Sequence, residues 1–336
     1  MISPIHILTI GLGGAFALGF VNKKAINLSA TLMLLAIGFM GTISATWLVQ
    51  LYSGAEAVQM FTAGFKPPYS INLLMGIKEA FLTTIINLVG LLGGLYLLGN
   101  LKKSGPHAIM VFLVFIMGLN VIVLTRDAFN LFVFMEVVSI ATAGLIILTQ
   151  TGKSIQAGFK YMIATGIIAG IFLLGIIFAY YFSASLNIDD IAAANLTTLK
   201  GGSIAVMLIL IALVLELKPF PANGWALDVY EASNPGISAL ISAASATAFY
   251  FVLYKVIAIG DAQWYNIIAI AGMITFVGSN LFGVKQDKAQ RLLGYSSVGQ
   301  LGLLMAILGF KPYLGDKFEF IAVSILISHY LAKAGL

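Results

Sequence analysis

The sequence predicts an all-α polytopic membrane protein. Of its 336 residues, 60% are hydrophobic and only 9% are charged, whereas about a quarter of the residues in a soluble domain are charged. The mean hydropathy is +1.02, and no polar stretch is long enough to form a separate soluble domain. These observations exclude an ordinary soluble enzyme and indicate that lipid surrounds most of the chain.

Apolar runs of membrane-spanning length recur along the whole sequence. A transmembrane helix needs about 20 mostly apolar residues, and about eleven segments meet this requirement. The first has no basic residues before it and no clear cleavage site, so we expect a helix rather than a signal peptide. The last runs to the final residue without a polar tail. Either this helix ends at the membrane surface or the chain is a fragment of a longer membrane domain, and we expect the second. The segments are 4–20, 28–51, 76–99, 106–124, 128–150, 158–183, 203–222, 236–258, 263–283, 291–310 and 319–336.

The distribution of lysine and arginine predicts the orientation. Cytoplasmic loops of membrane proteins carry an excess of these residues, and here the loops after odd-numbered helices carry more than the loops after even-numbered ones. We therefore expect a multi-pass protein of the cell membrane with its N-terminus outside. The odd loops hold Lys23, Lys24, Lys102, Lys103, Lys153, Lys285, Lys288 and Arg291, and the even loops hold Lys66, Arg126, Lys200, Lys255, Lys311 and Lys317.

The cysteine and histidine content limits the redox and metal centres that the chain can hold. There are no cysteines, which excludes disulfides and cysteine-held iron–sulfur clusters. The histidines, His6, His107 and His329, are scattered and form no ligand pattern. We expect neither a cofactor nor a metal site. The net charge of +5 fits basic loops of a membrane protein better than nucleic-acid binding.

Glu136 is the clearest candidate functional residue. It lies near the middle of 128–150, in "LFVFMEVVSI", with no other charge on that helix. A charge at a helix centre costs at least about 2.5–3.5 kcal/mol, so each such residue is a functional hypothesis. The first interpretation is a proton-relay carboxylate. The alternative is a carboxyl that only makes a hydrogen bond across a helix interface.

A second candidate lies in "LVLELKPFPANGWALDVYEA", Leu213 to Ala232. Glu216 and Lys218 stand beside two prolines and a glycine, which predict a break in the helix near 216–224. Membranes tolerate irregular backbone only inside protein or beside a cavity, and broken helices with ionisable residues form ion sites in many transporters. The alternative is a helix end at the membrane surface, with Lys218 extending to the lipid headgroups.

Three further basic residues are candidates for proton relay. His329 and Lys333 are four residues apart and therefore share one face of the last helix. Lys160, near the start of its helix, is the third, because its side chain is long enough to extend inward. The alternative for His329 and Lys333 is that the two residues only anchor the last helix at the membrane surface.

Four stretches in this order resemble the antiporter-like membrane subunits of respiratory complex I, multi-subunit sodium/proton antiporters, and membrane-bound hydrogenases and sulfur reductases. "RDAFNLFVFMEVVSI" is similar to the family segment whose key glutamate falls here on Glu136. "GWALDVYEASNPGISALISA" resembles the region after the broken helix. "QRLLGYSSVGQLGLLMAILG" and, more weakly, "SHYLAKAGL" resemble two later helices. Together the stretches lie within 110–336.

The resemblance implies two inverted five-helix repeats, each with one broken helix. It implies an N-terminal three-helix segment at 1–105, a first repeat at 106–258, and a partial second repeat at 263–336. It also implies half-channels joined by a line of buried charges. The partners it implies are other membrane subunits and a peripheral redox module, with no nucleic acid.

The chain departs from the family pattern at three positions. Glu216 stands where the family has the lysine of the broken helix, and Lys218 follows two residues later. Near Ala246, where the family has another lysine, there is no ionisable residue. Asn223 replaces the histidine that commonly precedes the tryptophan, here two residues on at Trp225.

We therefore predict a proton-translocating subunit of a multi-subunit membrane complex, with sodium as the alternative ion. A non-conducting structural subunit in the same position is the second hypothesis, favoured by the missing lysine near Ala246. A stand-alone transporter of a small solute is the third, and the resemblance argues against it.

Overall fold

Long helices dominate the computed structural model, which describes residues 2–62 and 64–335. The prediction of an all-α membrane fold is confirmed. The helices are α1 (Ile5–Gly19), α2 (Ile26–Tyr52), α3 (Ile77–Tyr96), α4 (Leu98–Ser104), α5 (Pro106–Leu124), α6 (Ala128–Ile146), α7 (Gly152–Ser183), α8 (Ile188–Ala193), α9 (Gly202–Glu216), α10 (Gly224–Ala232), α11 (Pro235–Leu240), α12 (Ala246–Val256), α13 (Ala262–Gly283), α14 (Ala289–Gly309), α15 (Lys311–Leu314) and α16 (Lys317–Gly335).

Nine helical segments within the described residues are long and apolar enough to cross a membrane. Two further apolar helices, α1 and α9, are shorter. The positions of these long and short helices correspond to the predicted segments. That the chain crosses the membrane eleven times remains a prediction. The repeats and the boundaries at 1–105, 106–258 and 263–336 also remain predictions. The end of the segment 319–336 lies outside the described residues.

Local polar caps explain where two of the helices begin. The α7 helix starts at Gly152, earlier than the predicted 158, because Thr151 and Ser154 form a capping box in which each side chain accepts from the other residue's backbone N–H. Asp127 caps α6 by accepting from the backbone N–H of Asn130 at 2.6 Å. These caps satisfy donors that a helix end otherwise leaves free.

A β-hairpin between α2 and α3 is absent from the prediction. Strand β1 (Val58–Phe61) pairs antiparallel with β2 (Asn72–Met75). Isolated bridges then join Leu73 to Thr125 and Asp127 to Asn187. We call this end of the helix bundle, with the loops 125–127, 257–261 and 310–316, the hairpin face. The opposite end, with the loops 20–25, 97–105 and 284–288, is the lysine-rich face.

Helices α13 and α14 pack with their backbones in close approach. A Cβ atom built on Gly272 would lie 2.3 Å from the backbone nitrogen of Ala306. A Cβ atom on Gly302 would lie 2.6 Å from the backbone nitrogen of Phe276. Small residues allow this approach in membranes, where packing rather than the hydrophobic effect drives helix association.

Substitution of Gly272 by alanine should therefore separate α13 from α14. We expect a loss of about 1–3 kcal/mol, the usual cost of overpacking, measured as a lower temperature of thermal inactivation of the purified protein. Gly170→Ala is the matched control, because a Cβ there meets nothing within 4 Å. Equal stability of the two variants would contradict the close approach.

Candidate functional site

The predicted helix break is confirmed. The backbone N–H groups of Leu217, Lys218 and Phe220 in it have hydrogen-bond acceptors. The α9 helix ends at Glu216, and the backbone N–H groups of Leu217 and Lys218 donate to Val214 and Leu215. Pro219 and Pro221 have no N–H to satisfy. Between them, the N–H of Phe220 donates to Oγ1 of Thr275 on α13 at 3.2 Å. The unwound segment is thus supported by a neighbouring helix, as irregular backbone inside a membrane requires.

Both charged residues at the break are buried. Glu216 and Lys218 are each only 2% exposed. The ammonium of Lys218 lies 5.9 Å from the ring centroid of Trp225, within the range of a cation–π contact. Tyr161 of α7 packs edge-on against the same indole at 5.7 Å. This burial contradicts the alternative that Lys218 extends to lipid headgroups at a helix end.

The backbone at Lys218 has a left-handed conformation, with φ of 60°. Left-handed residues commonly terminate helices, but the position is usually taken by glycine or asparagine. For other residues the conformation costs about 1–2 kcal/mol. The turn moves Lys218 off the helical path, so its direction relative to Glu216 does not follow helical spacing.

Glu136 completes a group of three charges around the break. It is the ninth of the 19 residues of α6 and is half-buried. Glu216 lies within electrostatic range of both Glu136 and Lys218. Two carboxylates and one ammonium are therefore grouped around the break, in a region with few other charges.

A second polar cluster surrounds His329 on α16, which is 1% exposed. Its Nε2 lies 3.0 Å from the carbonyl oxygen of Ser242, and its Nδ1 lies 2.7 Å from the side-chain oxygen of Gln300. The hydroxyls of Ser242 and Ser297 are 2.5 Å apart. Because a carbonyl only accepts, Nε2 carries a hydrogen. His329 lies within electrostatic range of Lys218 and Lys333.

Lys333 lies at the edge of a cavity near the lysine-rich face. Its ammonium donates to Oγ of Ser296 at 2.8 Å. The cavity, about 240 Å³ in volume, is lined by Tyr230, Ser238, Ser242 and Gln290 as well as Lys333. It has room for several water molecules, since each occupies about 30 Å³ in the liquid.

The backbone directly before Ala246 departs from regular α-helix. The segment Ile241–Ser245, directly before α12, forms a π-helical turn. Ala246 itself is completely buried. Turns of this kind are frequent at functional sites, and here the turn contains the backbone carbonyl of Ser242 that faces His329.

Lys160 lies apart from both clusters. Its ammonium pairs with Asp228 at 2.6 Å, and its side chain is 46% exposed. Arg291 bridges Asp228 and Glu231 at 3.0 Å each. The structure therefore places Lys160 in an ionic network at the lysine-rich face, and its role in proton relay stays a prediction.

Lys255 is a buried cation that the sequence prediction placed in a loop. It is 6% exposed and lies on α12. Its ammonium donates to the carbonyl oxygens of Ile122, Val123 and Thr125 at 2.7, 3.1 and 2.7 Å. These carbonyls end α5 and lack helical partners. In the sequence, Lys255 is recognisable only as a lysine close to the end of an apolar segment. That pattern does not identify the carbonyl groups that bind it.

The chain matches known membrane proteins along nearly its whole length. Residues 125–336 match the family model described as "NADH:quinone oxidoreductase/Mrp antiporter, TM". The NADH-quinone oxidoreductase subunit N of Desulforudis audaxviator (strain MP104C) is 29% identical over 344 residues, covering 98% of this chain and 65% of that protein. The subunit of the same name from Rubrobacter xylanophilus is 27% identical over 333 residues, covering 94% and 64%. The chain thus spans less than two thirds of the length of both relatives.

Two solved structures share the fold. A chain in the structure of an archaeal respiratory complex, the membrane-bound sulfane sulfur reductase, aligns with a TM-score of 0.87 at 25% identity, covering 99% of this chain and 69% of that one. A chain of the Mrp complex from Dietzia sp. DQ12-45-1b aligns with a TM-score of 0.89 at 20% identity, covering 100% and 64%. The second likeness concerns the fold alone.

Two substitutions of Lys218 can separate the effect of its left-handed backbone on stability from the effect of its side chain. Lys218→Gly and Lys218→Ala both remove the charge, but only glycine adopts this conformation freely. We expect the glycine variant to be the more stable by about 1–2 kcal/mol, measured by thermal inactivation of the purified protein. At Lys160, in the interior of α7, the order should reverse, because glycine in the middle of a helix costs about 0.5–1 kcal/mol relative to alanine. The same order at both positions would contradict the turn.

Proposed function

This chain belongs to the NADH:quinone oxidoreductase/Mrp antiporter transmembrane family, and on that premise we propose that it moves protons through the membrane along its buried charged residues. It does so as one membrane subunit of a multi-subunit, energy-converting complex. Electron transfer takes place in a peripheral redox module, and other membrane subunits complete the complex. The family membership and the names of the relatives, which are subunits of NADH-quinone oxidoreductase, support this assignment.

The observation that carries the proposal is a group of ionisable residues in the interior of the helix bundle, at and around the helix break. Glu136 and Lys218 lie within electrostatic range of Glu216 at the break, and Lys218 and Lys333 both lie within electrostatic range of His329. Each of these groups can gain and lose a proton. Buried charges are costly in a membrane and persist mainly where ions or protons pass, and a broken helix is a common way to hold them.

Protons suit this set of side chains better than sodium. A hard cation is bound by carboxylate and carbonyl oxygens, and Glu136 and Glu216 provide two carboxylates. The remaining members, Lys218, His329 and Lys333, are bases, which carry protons but repel a metal cation when charged. We place the lysine-rich face in the cytoplasm and the N-terminus outside, because cytoplasmic loops carry the basic excess.

A non-conducting structural subunit is the second candidate function. It is favoured by the lack of an ionisable residue at Ala246, where the family has a lysine. In the proposed route, the π-helical turn and the Ser242–His329 contact take the place of that lysine. The two functions differ in whether the buried charges affect transport or only assembly.

Neutralising the charges around the break should strongly reduce pumping. We expect Glu136→Gln, Glu216→Gln and Lys218→Met to lower proton pumping by about 100-fold, because an uncompensated charge costs at least about 2.5 kcal/mol and each 1.36 kcal/mol is a factor of ten in rate. The measurement is proton movement into vesicles that contain the complex, purified through a tag on this chain. Glu56→Gln is the matched control, since it makes the same chemical change at an exposed site near the hairpin.

Three results would contradict the proposal in different ways. Unchanged coupled pumping in Glu136→Gln and Lys218→Met would exclude the relay. Normal assembly of the variants together with normal pumping, but loss of the complex when the chain is deleted, would favour the structural subunit. Purification of the chain without partner subunits, together with transport by the chain alone, would favour a stand-alone transporter.

A further inference from the structure

The short helix α10 connects the helix break to the lysine-rich face. It begins at Gly224, directly after the break, and ends at Ala232. Its nine residues extend about 14 Å, at about 1.5 Å per residue. In its last turn, Glu231 pairs with Lys288 of the lysine-rich face. Because its hydrogen bonds make so short a helix move as one body, a shift of α10 at that face also shifts the residues next to the break.

One face of α10 is fixed to α7 by two kinds of contact. Trp225 and Asp228 lie three residues apart and therefore share this face. The Trp225 indole packs edge-on against Tyr161, with 5.7 Å between the ring centroids. Asp228 accepts a hydrogen bond from the ammonium of Lys160 at 2.6 Å. Lys160 and Tyr161 are consecutive in α7, so an ion pair and an aromatic contact join the same part of α7 to the same face of α10.

A series of ion pairs continues from α10 to α14. Arg291 of α14 pairs with Asp228 and with Glu231, at 3.0 Å each. Lys288, directly before α14, pairs with Glu231 as well. Asp228 therefore binds two helices at once, through Lys160 on α7 and Arg291 on α14. We call these five residues the α10 clamp.

The indole of Trp225 connects the α10 clamp to the charged residue at the break. The ammonium of Lys218 lies 5.9 Å from the indole centroid, and Trp225 lies about one turn of α10 before Asp228. A cation–π attraction requires the cation over the ring face, within about 6 Å of its centroid. The contact is therefore at the limit of its range, and a small displacement of α10 away from the break would remove it.

The α10 clamp is accessible to water. A cavity of about 220 Å³ lies beside Lys160, Asp228 and Arg291, and this volume holds about seven water molecules at about 30 Å³ each. Hydrated ion pairs contribute little to global stability. Close packing also holds α10 without charges, because a Cβ atom on Gly294 of α14 would lie 2.9 Å from Cδ2 of Tyr230. Loss of clamp charges should therefore loosen α10 without unfolding the protein.

We propose that the α10 clamp positions the buried ammonium of Lys218 for proton transfer. Lys160, Asp228 and Arg291 are the positioning residues, since they hold α10 between α7 and α14. Their effect reaches the break through Trp225. The proposal rests on the proposed function, in which Lys218 carries protons. It makes Lys160 a fixed charge that holds α10, in place of the proton relay predicted for this residue from the sequence.

Two substitutions of Lys160 distinguish positioning from proton relay. Arginine keeps the charge and can pair with Asp228, but it does not release its proton, so Lys160→Arg should pump at the wild-type rate. Lys160→Met removes the ion pair, and proton pumping into vesicles that contain the complex should fall about tenfold, within the factor of about 100 that a displacement of about 1 Å can cause. Asp228→Asn, which removes both ion pairs of Asp228, should show a similar loss. Lys285→Met is the matched control, because it removes an exposed lysine of the same face outside the clamp.

Hydrogen exchange of the purified complex, measured by mass spectrometry, provides a second readout that needs no transport. In Lys160→Met and Asp228→Asn, the amides of residues 220–232 should exchange about tenfold faster than in the wild type, which corresponds to about 1.4 kcal/mol of local opening free energy. Exchange in α6 should not change, since α6 does not contribute to the clamp. Lys160→Arg and Lys285→Met should exchange like the wild type throughout.

The outcomes separate this proposal from the proposed function. Equal loss of pumping in Lys160→Arg and Lys160→Met would assign proton relay to Lys160 and overturn the positioning role. Unchanged exchange in Lys160→Met would overturn it as well, even if pumping falls. Normal pumping in Lys160→Met and Asp228→Asn, together with lost pumping in Glu136→Gln, would overturn the positioning role and leave the proposed function intact. Normal pumping in all three variants would overturn both. All variants are compared at equal amounts of assembled complex, so that a loss reflects transport.

Discussion

The apolar surroundings of this protein require every buried charge and every free backbone group to find a partner inside it. The helix break after Glu216 shows how the fold meets this requirement. Thr275 of α13 accepts the hydrogen of Phe220, two prolines remove other donors, and Lys218 ends the helix in a left-handed turn. Without these partners the break would be too costly at membrane depth. The break in turn allows an acid and a base two residues apart to be buried away from lipid.

The same requirement explains the arrangement of charges elsewhere in the fold. Lys255 is held by three carbonyls at the end of α5, and its position ties α12 to the start of the segment that carries Glu136. His329 binds the π-helical turn, so α16 and α12 are joined at the level of the proposed route. The buried polar groups thus fix neighbouring helices, and in the proposed function they also carry protons.

Much of this arrangement is predictable from the sequence, because the membrane makes local patterns informative. Apolar runs predict the helices, and an isolated charge such as Glu136 is recognisable as exceptional. The prolines after Lys218 predict the break. What is not predictable depends on partners distant in the chain. The three carbonyls that hold Lys255, the π-helical turn before Ala246, and the pairing of Lys160 with Asp228 all arise from tertiary contacts that no local pattern encodes.

The central claim is that Glu136, Glu216, Lys218 and His329 form one connected route for protons. It is tested most directly by a structure of the assembled complex at a resolution that shows ordered water. We expect water molecules that join Glu136 and Glu216 to Lys218, and Lys218 to His329, within hydrogen-bond distance of one another. Tight apolar packing between these side chains in every state of the complex would contradict the claim.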